Sequence, residues 1–241
     1  HIVRLSEDPL IQDSLTHHDK FLESILRGSN GTPSGCRRRA TVHHPCRGGH
    51  PPKVEELSAV YTNHTVWVEH SIRIMELLLA DEKYKVVGFD IEHTRARAKS
   101  CPKVTVAQMC VGHHVPVYHY CLATRPCERF ARFVNSPHYM FATVDITNNV
   151  KVLKNSGIAY QNLVDIQGQY KIWGSKEHEK DSLVHLAKAI IEPYYRDMKD
   201  SCNNDKRAWH SAWMKKLDKD HVVYAAKEAY TCYDMYRRIV D

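Results

Sequence analysis

Long hydrophobic runs are missing from this 241-residue sequence. Apolar stretches such as Leu77–Ala80 are far shorter than the roughly 20 residues that a membrane-spanning helix needs, so we expect no membrane association. No secretory signal pattern is visible, although the sequence begins with His1 rather than methionine. An apolar content of 43% is enough for one domain with a substantial core.

A cysteine framework is also lacking. The eight cysteines are scattered, and no two of them have C-x-x-C spacing. A chain of this length does not need disulfides for stability, and reduced thiols are ordinary in strand-like runs such as those that hold Cys110 and Cys121. We therefore expect an intracellular protein, placed in the nucleus, the cytoplasm or both.

The balance of charge shows only a small excess of one sign. The 34 Lys and Arg residues outnumber the 28 Asp and Glu residues, which gives a net charge of +6. This sign suits a polyanionic partner, yet many basic proteins bind no nucleic acid. Net charge alone therefore does not decide between a nucleic-acid partner and a protein partner.

Residues 1–55 differ in composition from the rest of the chain. From residue 28 to residue 53 the sequence is rich in Gly, Ser, Pro, Arg and His, a composition that is typical of linkers. We predict a basic, partly disordered segment over 1–55 and one domain over 56–241. A zinc cluster in the linker is an alternative, but the spacing of its candidate ligands matches no standard zinc finger. Those candidates are Cys36, His43, His44, Cys46 and His50.

The most informative stretch is the apolar run Val86–Glu92, which presents two carboxylates two residues apart. Side chains alternate between the faces of a strand, so Asp90 and Glu92 should point to one face while Phe89 and Ile91 point to the other. Two carboxylates on one face can reach one divalent cation, the kind of ion that serves phosphate chemistry. The alternative is an acidic pair at an exposed strand end.

Further strand and helix patterns follow this run. Two more apolar runs with short polar connections predict an antiparallel meander, and a helix, a strand and a short helix come next. The order βββαβα favours an α/β fold with a mixed sheet and helices packed on its faces. The predicted ranges are strands at 86–92, 104–111, 115–120 and 139–146, with helices at 127–134 and 150–154.

A cluster of basic residues lies directly after the acidic pair, at Arg95, Arg97, Lys99 and Lys103. Such a loop is able to hold backbone phosphates while the neighbouring carboxylates hold metal. A solvated hairpin tip would have the same composition. Both interpretations stay open at this point.

The C-terminal region, 219–240, has apolar residues at helical spacing, and Asp218 is a candidate N-cap for the predicted helix. Tyr224 and Glu228 are four residues apart, so they share one face of this helix. That face differs from the apolar stripe and carries a phenol beside a carboxylate. An ordinary amphipathic surface helix is the alternative interpretation.

Three of these stretches together resemble the motif regions of the DEDD 3′–5′ exonucleases. They are 88–92 (GFDIE), the strand 104–111 with Gln108, and 224–230 (YAAKEAY). Within that superfamily the sequence is most similar to Werner-type and ribonuclease D-type domains that carry a tyrosine in the third motif. The similarity extends from about residue 66 to the end of the chain.

This resemblance implies a ribonuclease H-like fold and the removal of single nucleotides from 3′ ends by two-metal-ion hydrolysis, with Mg²⁺ or Mn²⁺ as cofactor. Asp90 and Glu92 match the first acidic pair of the family. Tyr224 matches the tyrosine that orients or deprotonates the attacking water. The metal ligands that the resemblance implies here are Asp90, Glu92 and Glu228.

The other acidic positions depart from the family pattern. The aspartate of the second motif falls on Asn149, or on Asn148 if the gap is placed differently, and Asp145 lies earlier in the predicted strand. Glu228 stands where an aspartate is expected, and His93 stands where the family has a bulky aromatic residue. Asn removes a negative charge, and the longer Glu shifts its carboxylate by about 1 Å, which costs on the order of 100-fold in rate.

We therefore predict a 3′–5′ exonuclease-domain protein that acts on DNA or RNA 3′ ends, preferably single-stranded, with weakened activity. Asp90, Glu92, Asn149 and Glu228 should converge at one end of the sheet, with Tyr224 in the same cleft. One alternative is a degenerate exonuclease fold that binds nucleic acid or a protein partner without cutting. Another is a structural interaction module that has lost nucleic acid. The choice of DNA or RNA and the oligomeric state stay open.

Overall fold

The computed structural model describes residues 2–6, 39–40, 56–94, 100–170, 181–191, 209 and 211–240. The strands are β1 (Ile2–Ser6), β2 (Arg39–Ala40), β3 (Glu56–Thr62), β4 (Val86–Thr94), β5 (Lys103–Cys110), β6 (His114–Tyr118), β7 (Met140–Thr143) and β8 (Leu163–Asp165). The α-helices are α1 (Thr65–Ala80), α2 (Glu128–Val134), α3 (Ile146–Asn155), α4 (Ile166–Gln169), α5 (Leu183–Ile190) and α6 (Lys219–Val240). A short 3₁₀ helix spans Tyr120–Leu122.

The strands form one mixed sheet in the order β2-β1-β3-β6-β5-β4-β7-β8. The predicted meander is confirmed, because β5 pairs antiparallel with both β4 and β6. The outer pairs β3–β6, β4–β7 and β7–β8 are parallel. The six strands from β3 to β8, flanked by helices, make the predicted α/β ribonuclease H-like fold.

Two apolar layers enclose the sheet. On one face, α1, α2 and α3 pack over a cluster that contains Phe89, Phe130 and Phe141. On the other face, α5 and α6 pack over Val106, Val117 and their neighbours. Strand alternation divides β4 between these layers, so Phe89 and Ile91 belong to the first layer as predicted.

Gly88 determines how closely α6 approaches the sheet. A Cβ built on this glycine would lie 2.1 Å from the Ala229 carbonyl oxygen and 2.6 Å from the Tyr233 backbone nitrogen. Only hydrogen leaves room for this contact between backbones. Gly88 lies two residues before Asp90, so the same close approach places the middle of α6 beside the acidic end of β4.

Helix α6 has the predicted bounds, and its N-cap is confirmed, because the Asp218 carboxylate accepts a hydrogen bond from the His221 N–H at 2.9 Å. The interpretation as a surface helix is wrong. The middle of α6 is buried between the sheet and its neighbours, with the acidic Glu228 only 5% exposed. No helix among the described residues is long and apolar enough to cross a membrane.

The region after α2 differs from the prediction. Strand β7 ends at Thr143 rather than at residue 146, and α3 runs over Ile146–Asn155 rather than over 150–154. Asp145 is therefore not part of a strand. It is the N-cap residue of α3 and has a left-handed backbone with φ 59°, a conformation that aspartate tolerates better than most residues.

Several predictions lie outside the described residues. Arg95, Arg97 and Lys99 belong to this group, as do the candidate zinc ligands between residues 36 and 50. Within 1–55 the structure describes only β1 and β2, which extend the sheet beside β3. The division of the chain at residue 55 stays a prediction.

Candidate active site

The five predicted catalytic residues line one cavity of about 430 Å³. The cavity lies where the end of β4, the start of α3 and the first half of α6 meet. The predicted residues along its wall are Asp90, Glu92, Asn149, Tyr224 and Glu228. The structure thus brings these side chains together, while their roles stay proposals.

Strand β4 places the acidic pair by simple alternation, and both side chains are half-buried. The pairing of β4 with β5 then shifts register between Glu92 and His93. Such an irregularity turns a side chain away from strict alternation. His93 consequently lines the same cavity as Asp90 and Glu92.

Asn149 lies one turn inside α3 and is only 5% exposed. Its amide nitrogen is 2.7 Å from the Thr143 hydroxyl, 3.2 Å from an Asp90 carboxylate oxygen and 3.3 Å from the Val144 carbonyl oxygen. A carbonyl and an ionised carboxylate only accept hydrogen bonds, so they need the –NH₂ end of the amide here. Asn149 therefore donates a hydrogen bond to Asp90, and the side of its amide that faces Asp90 offers no oxygen to a metal ion.

This hydrogen bond changes the electrostatics of Asp90. A donor hydrogen bond to a charged group stabilises it by about 1.5–3 kcal/mol, so Asp90 keeps a favourable partner without any cation. An aspartate at position 149 would instead bring a second negative charge to within about 3 Å of Asp90, by the same 3.2 Å contact. The residue at position 149 therefore sets how strongly this cavity attracts cations.

Three aromatic rings, those of Trp209, Trp213 and His221, lie around the tyrosine of the site. His221 stacks on Trp209 with ring centroids 3.8 Å apart and meets Trp213 edge-on at 5.0 Å. Tyr224 contacts both tryptophans at 5.6 and 6.2 Å. Burial alone would raise the pKa of Asp218, but hydrogen bonds from His221 outweigh it and hold that pKa below its usual value. The ring cluster is thereby anchored to the start of α6.

Glu228 lies one turn after Tyr224 on α6 and one turn before Cys232. The Cys232 thiol is fully buried, and its pKa is raised well above its usual value by burial and then by the charges of Asp90 and Glu228. A neutral thiol is therefore the expected species beneath the two carboxylates. It supplies neither a nucleophile nor a compensating charge.

Acidic side chains dominate the electrostatics of the cavity. Its described lining contains the carboxylates of Asp90, Glu92, Asp145 and Glu228 and no Lys or Arg. Even so, no three His, Cys, Asp or Glu side chains among the described residues are grouped closely enough to hold a metal ion. Because position 149 also supplies an amide donor, these residues do not fit the two-metal site that the resemblance implies.

Two further residues of the cavity are Asn148, which the sequence offered as the alternative match to the family's aspartate, and Gln167, which sequence reasoning missed. Asn148 lines it, and its amide lies 3.4 Å from the His93 ring nitrogen Nε2. Gln167 lines it as well and bridges two segments, accepting the Asp145 N–H at 3.2 Å and donating to the Asp181 carbonyl at 2.7 Å. No local pattern marks Gln167, because its position depends on the pairing of β8 with β7.

Of the predicted basic cluster, the structure describes only Lys103. It is exposed at the start of β5 and does not line the acidic cavity. A contact between this cluster and nucleic acid stays a prediction.

The mixed sheet and the helices on its faces place the chain in the class of ribonuclease H-like α/β domains. Residues 65–241 match the 3′–5′ exonuclease family. The chain belongs to this family. No curated protein matches it.

Solved structures agree with this fold. RNase D from Trypanosoma brucei, determined as a GMP complex, is 16% identical with a TM-score of 0.57 over 75% of this chain and 57% of that protein. RNase D from Escherichia coli is 15% identical with a TM-score of 0.53 over 70% of this chain and 42% of that protein. The catalytic core of RRP6 from T. brucei is 16% identical with a TM-score of 0.53 over 83% of this chain and 49% of that protein. The chain thus spans about half the length of these relatives.

Proposed function

We propose that this domain binds the 3′ ends of single-stranded nucleic acid in the acidic cavity and that its phosphodiester hydrolysis is strongly weakened. The observation that carries the proposal is the hydrogen bond from Asn149 to Asp90 at 3.2 Å. It places a neutral donor where the family resemblance implies an acidic ligand. Asp90 is then satisfied by the protein itself.

The chemistry of the cavity suits the terminal sugar of a nucleic acid rather than a phosphate. Carboxylates accept hydrogen bonds from hydroxyl groups, and a 3′ end offers at least one such donor. A phosphate would meet the repulsion of the four carboxylates that line the cavity. We infer that the 3′-terminal nucleoside enters the cavity while the chain of phosphates leads outward.

The second candidate is a metal-dependent 3′–5′ exonuclease. The observation that favours it is the presence of Asp90, Glu92, Tyr224 and Glu228 in one cavity. In this case Asp90, Glu92 and Glu228 would have to move closer together than the structure places them to hold Mg²⁺ or Mn²⁺, which would supply the Lewis-acid chemistry of hydrolysis. A protein partner in place of nucleic acid is an outcome of the test below.

One set of oligonucleotides allows binding and cutting to be measured independently. The ligands are 5′-labelled single strands of DNA and of RNA that end in a 3′-hydroxyl or a 3′-phosphate. By fluorescence anisotropy in EDTA we expect the hydroxyl form to bind roughly tenfold more tightly, because a hydrogen bond to a carboxylate contributes about 1.5–3 kcal/mol. In Mg²⁺ or Mn²⁺ we expect little shortening of either strand.

Three results would contradict this proposal. Equal affinity for the two 3′ ends would remove the carboxylate–hydroxyl contact. Rapid shortening of the hydroxyl strand would favour the exonuclease. The absence of binding to any strand would leave a protein partner as the ligand of this fold.

A further inference from the structure

A second cavity of about 400 Å³ adjoins the acidic cavity and has the opposite electrostatic character. His93 and Asn148 line both cavities and form the boundary between them. None of the seven described residues that line the second cavity is acidic, and Lys151 is among them. Along the surface, then, a carboxylate-lined cavity gives way to one that carries a cation.

The walls of the second cavity are held in place by hydrogen bonds. On one side, the Asn155 amide donates to the Pro102 carbonyl at 3.1 Å, and the Val104 N–H donates to the Ser156 hydroxyl at 2.8 Å. These bonds tie the end of α3 to the start of β5. Lys151 lies on α3 three residues after Asn148, so both project to the same side of that helix.

The segment that contributes Met214 to the lining is held by a buried network. The His119 ring donates from Nε2 to the Trp213 carbonyl at 3.1 Å, and its Nδ1 accepts the Tyr61 hydroxyl at 2.7 Å. The Leu217 N–H in turn donates to the Tyr61 oxygen at 3.0 Å. With this assignment, every donor in the network faces an acceptor. The segment between residues 213 and 217 is thereby fixed to the sheet.

Met214 protrudes from this fixed segment into the second cavity and remains 45% exposed. It is one of four large apolar side chains that are clearly exposed among the described residues. Its accessible thioether gives the cavity a soft apolar surface, and Pro102 is a further apolar residue of the lining. A cavity lined by one cation, by apolar side chains and by polar side chains such as Thr94 and Asn148 suits a nucleotide, which carries one charge and one flat base.

We propose that the second cavity binds the second nucleotide from the 3′ end, with its base against Met214 and the adjoining phosphate at Lys151. This inference rests on the proposed function, since the strand must first place its terminal nucleoside in the acidic cavity. The volumes of the two cavities both fall within the range of ligand sites. The strand crosses the boundary formed by His93 and Asn148.

Lys154 provides a matched control for Lys151. It is the next lysine on α3, is also exposed and lines neither cavity. The probes are a 5′-labelled single-stranded pentanucleotide with a 3′-hydroxyl, and an unlabelled nucleoside that competes for the acidic cavity. We expect Lys151→Ala to weaken pentanucleotide binding about tenfold and to reduce its salt slope by about 0.7. Lys154→Ala should change the affinity less than about twofold.

The nucleoside competitor separates the two cavities. It carries no phosphate, so its affinity should not change in Lys151→Ala. A second variant, Met214→Glu, places a carboxylate in the second cavity and should weaken the pentanucleotide but not the nucleoside. Leu77→Glu is the control for that variant, because Leu77 is 53% exposed and lines neither cavity.

Failure of this inference differs from failure of the proposed function. If the parent prefers a 3′-hydroxyl but Lys151→Ala and Lys154→Ala lose affinity equally, or neither loses any, the second cavity is not the subsite. A loss of nucleoside affinity in Lys151→Ala would also overturn the inference, since the effect would then reach the acidic cavity. A parent with no preference for a 3′-hydroxyl overturns the proposed function itself.

Discussion

Replacing Gly88 with alanine is predicted to destabilise the domain severely. The added methyl carbon would lie 2.1 Å from the Ala229 carbonyl oxygen, 2.6 Å from the Tyr233 nitrogen and 2.7 Å from the Tyr233 Cβ. Two of these atoms are backbone atoms of α6, so no side-chain rotation relieves the clash. The helix must move away from β4 by about 1 Å or more to reach ordinary contact.

The loss in the free energy of unfolding depends on the contacts that are disrupted when α6 moves away from β4. Overpacking in a well-packed core costs about 1–3 kcal/mol. Separating α6 from the sheet also loosens buried contacts along the helix, so we expect a loss of about 4 kcal/mol, at the upper end for single substitutions. Chemical denaturation followed by tryptophan fluorescence and circular dichroism measures the loss directly.

Gly168→Ala is the control for this substitution. A Cβ on Gly168 would meet only Asp165 side-chain atoms, at 3.5 Å or more, and Gly168 lies in the short helix α4. We expect this variant to be neutral or to gain up to about 1 kcal/mol. The reasoning is refuted if Gly88→Ala loses less than about 1 kcal/mol, or if both glycines respond alike.

Two further predictions concern His119 and the basic cluster. Burial lowers the pKa of His119 from 6.5 to about 4. As the pH falls, the unfolded chain therefore takes up a proton at this histidine before the folded chain does. About 3 kcal/mol of the free energy of unfolding is present above pH 6.5 and is lost as the pH falls toward 4. The free energy of unfolding against pH measures this loss, and a slope unchanged in His119→Gln would contradict it. Alanine at Arg95, Arg97 and Lys99 should flatten the salt dependence of single-strand binding by about 0.7 per lost phosphate contact. An unchanged salt slope would place the strand elsewhere.

The spacing of apolar residues along the sequence is sufficient to predict the strand and the helix that carry most of the site. The apolar run of β4 and the stripe of α6 have strong patterns, and both elements have the expected position. Tyr224 and Glu228 then share a helix face as a consequence of geometry. The motif glycine, Gly88, acquires its physical reason only in three dimensions, from the backbone of α6 that packs on it.

The connection between β7 and α3 could not be predicted in the same way. Val144 and Ile146 continue the apolar pattern of the strand, and this pattern predicts a strand that extends to residue 146. The left-handed backbone of Asp145 ends the strand early, and the helix then begins at Ile146, three residues before Asn149. In this position the Asn149 amide nitrogen donates to Asp90 at 3.2 Å, a contact that the sequence pattern does not predict.

The central claim is that the amide at position 149 replaces an acidic ligand, so that this domain binds 3′ ends and cuts them poorly. The most direct measurement is the rate at which the double variant Asn149→Asp, Glu228→Asp shortens a 5′-labelled single strand in Mg²⁺ or Mn²⁺, compared with the parent. We predict an increase on the order of 100-fold, abolished when Asp90→Ala is added. A parent that already cuts as fast as the double variant would contradict the claim.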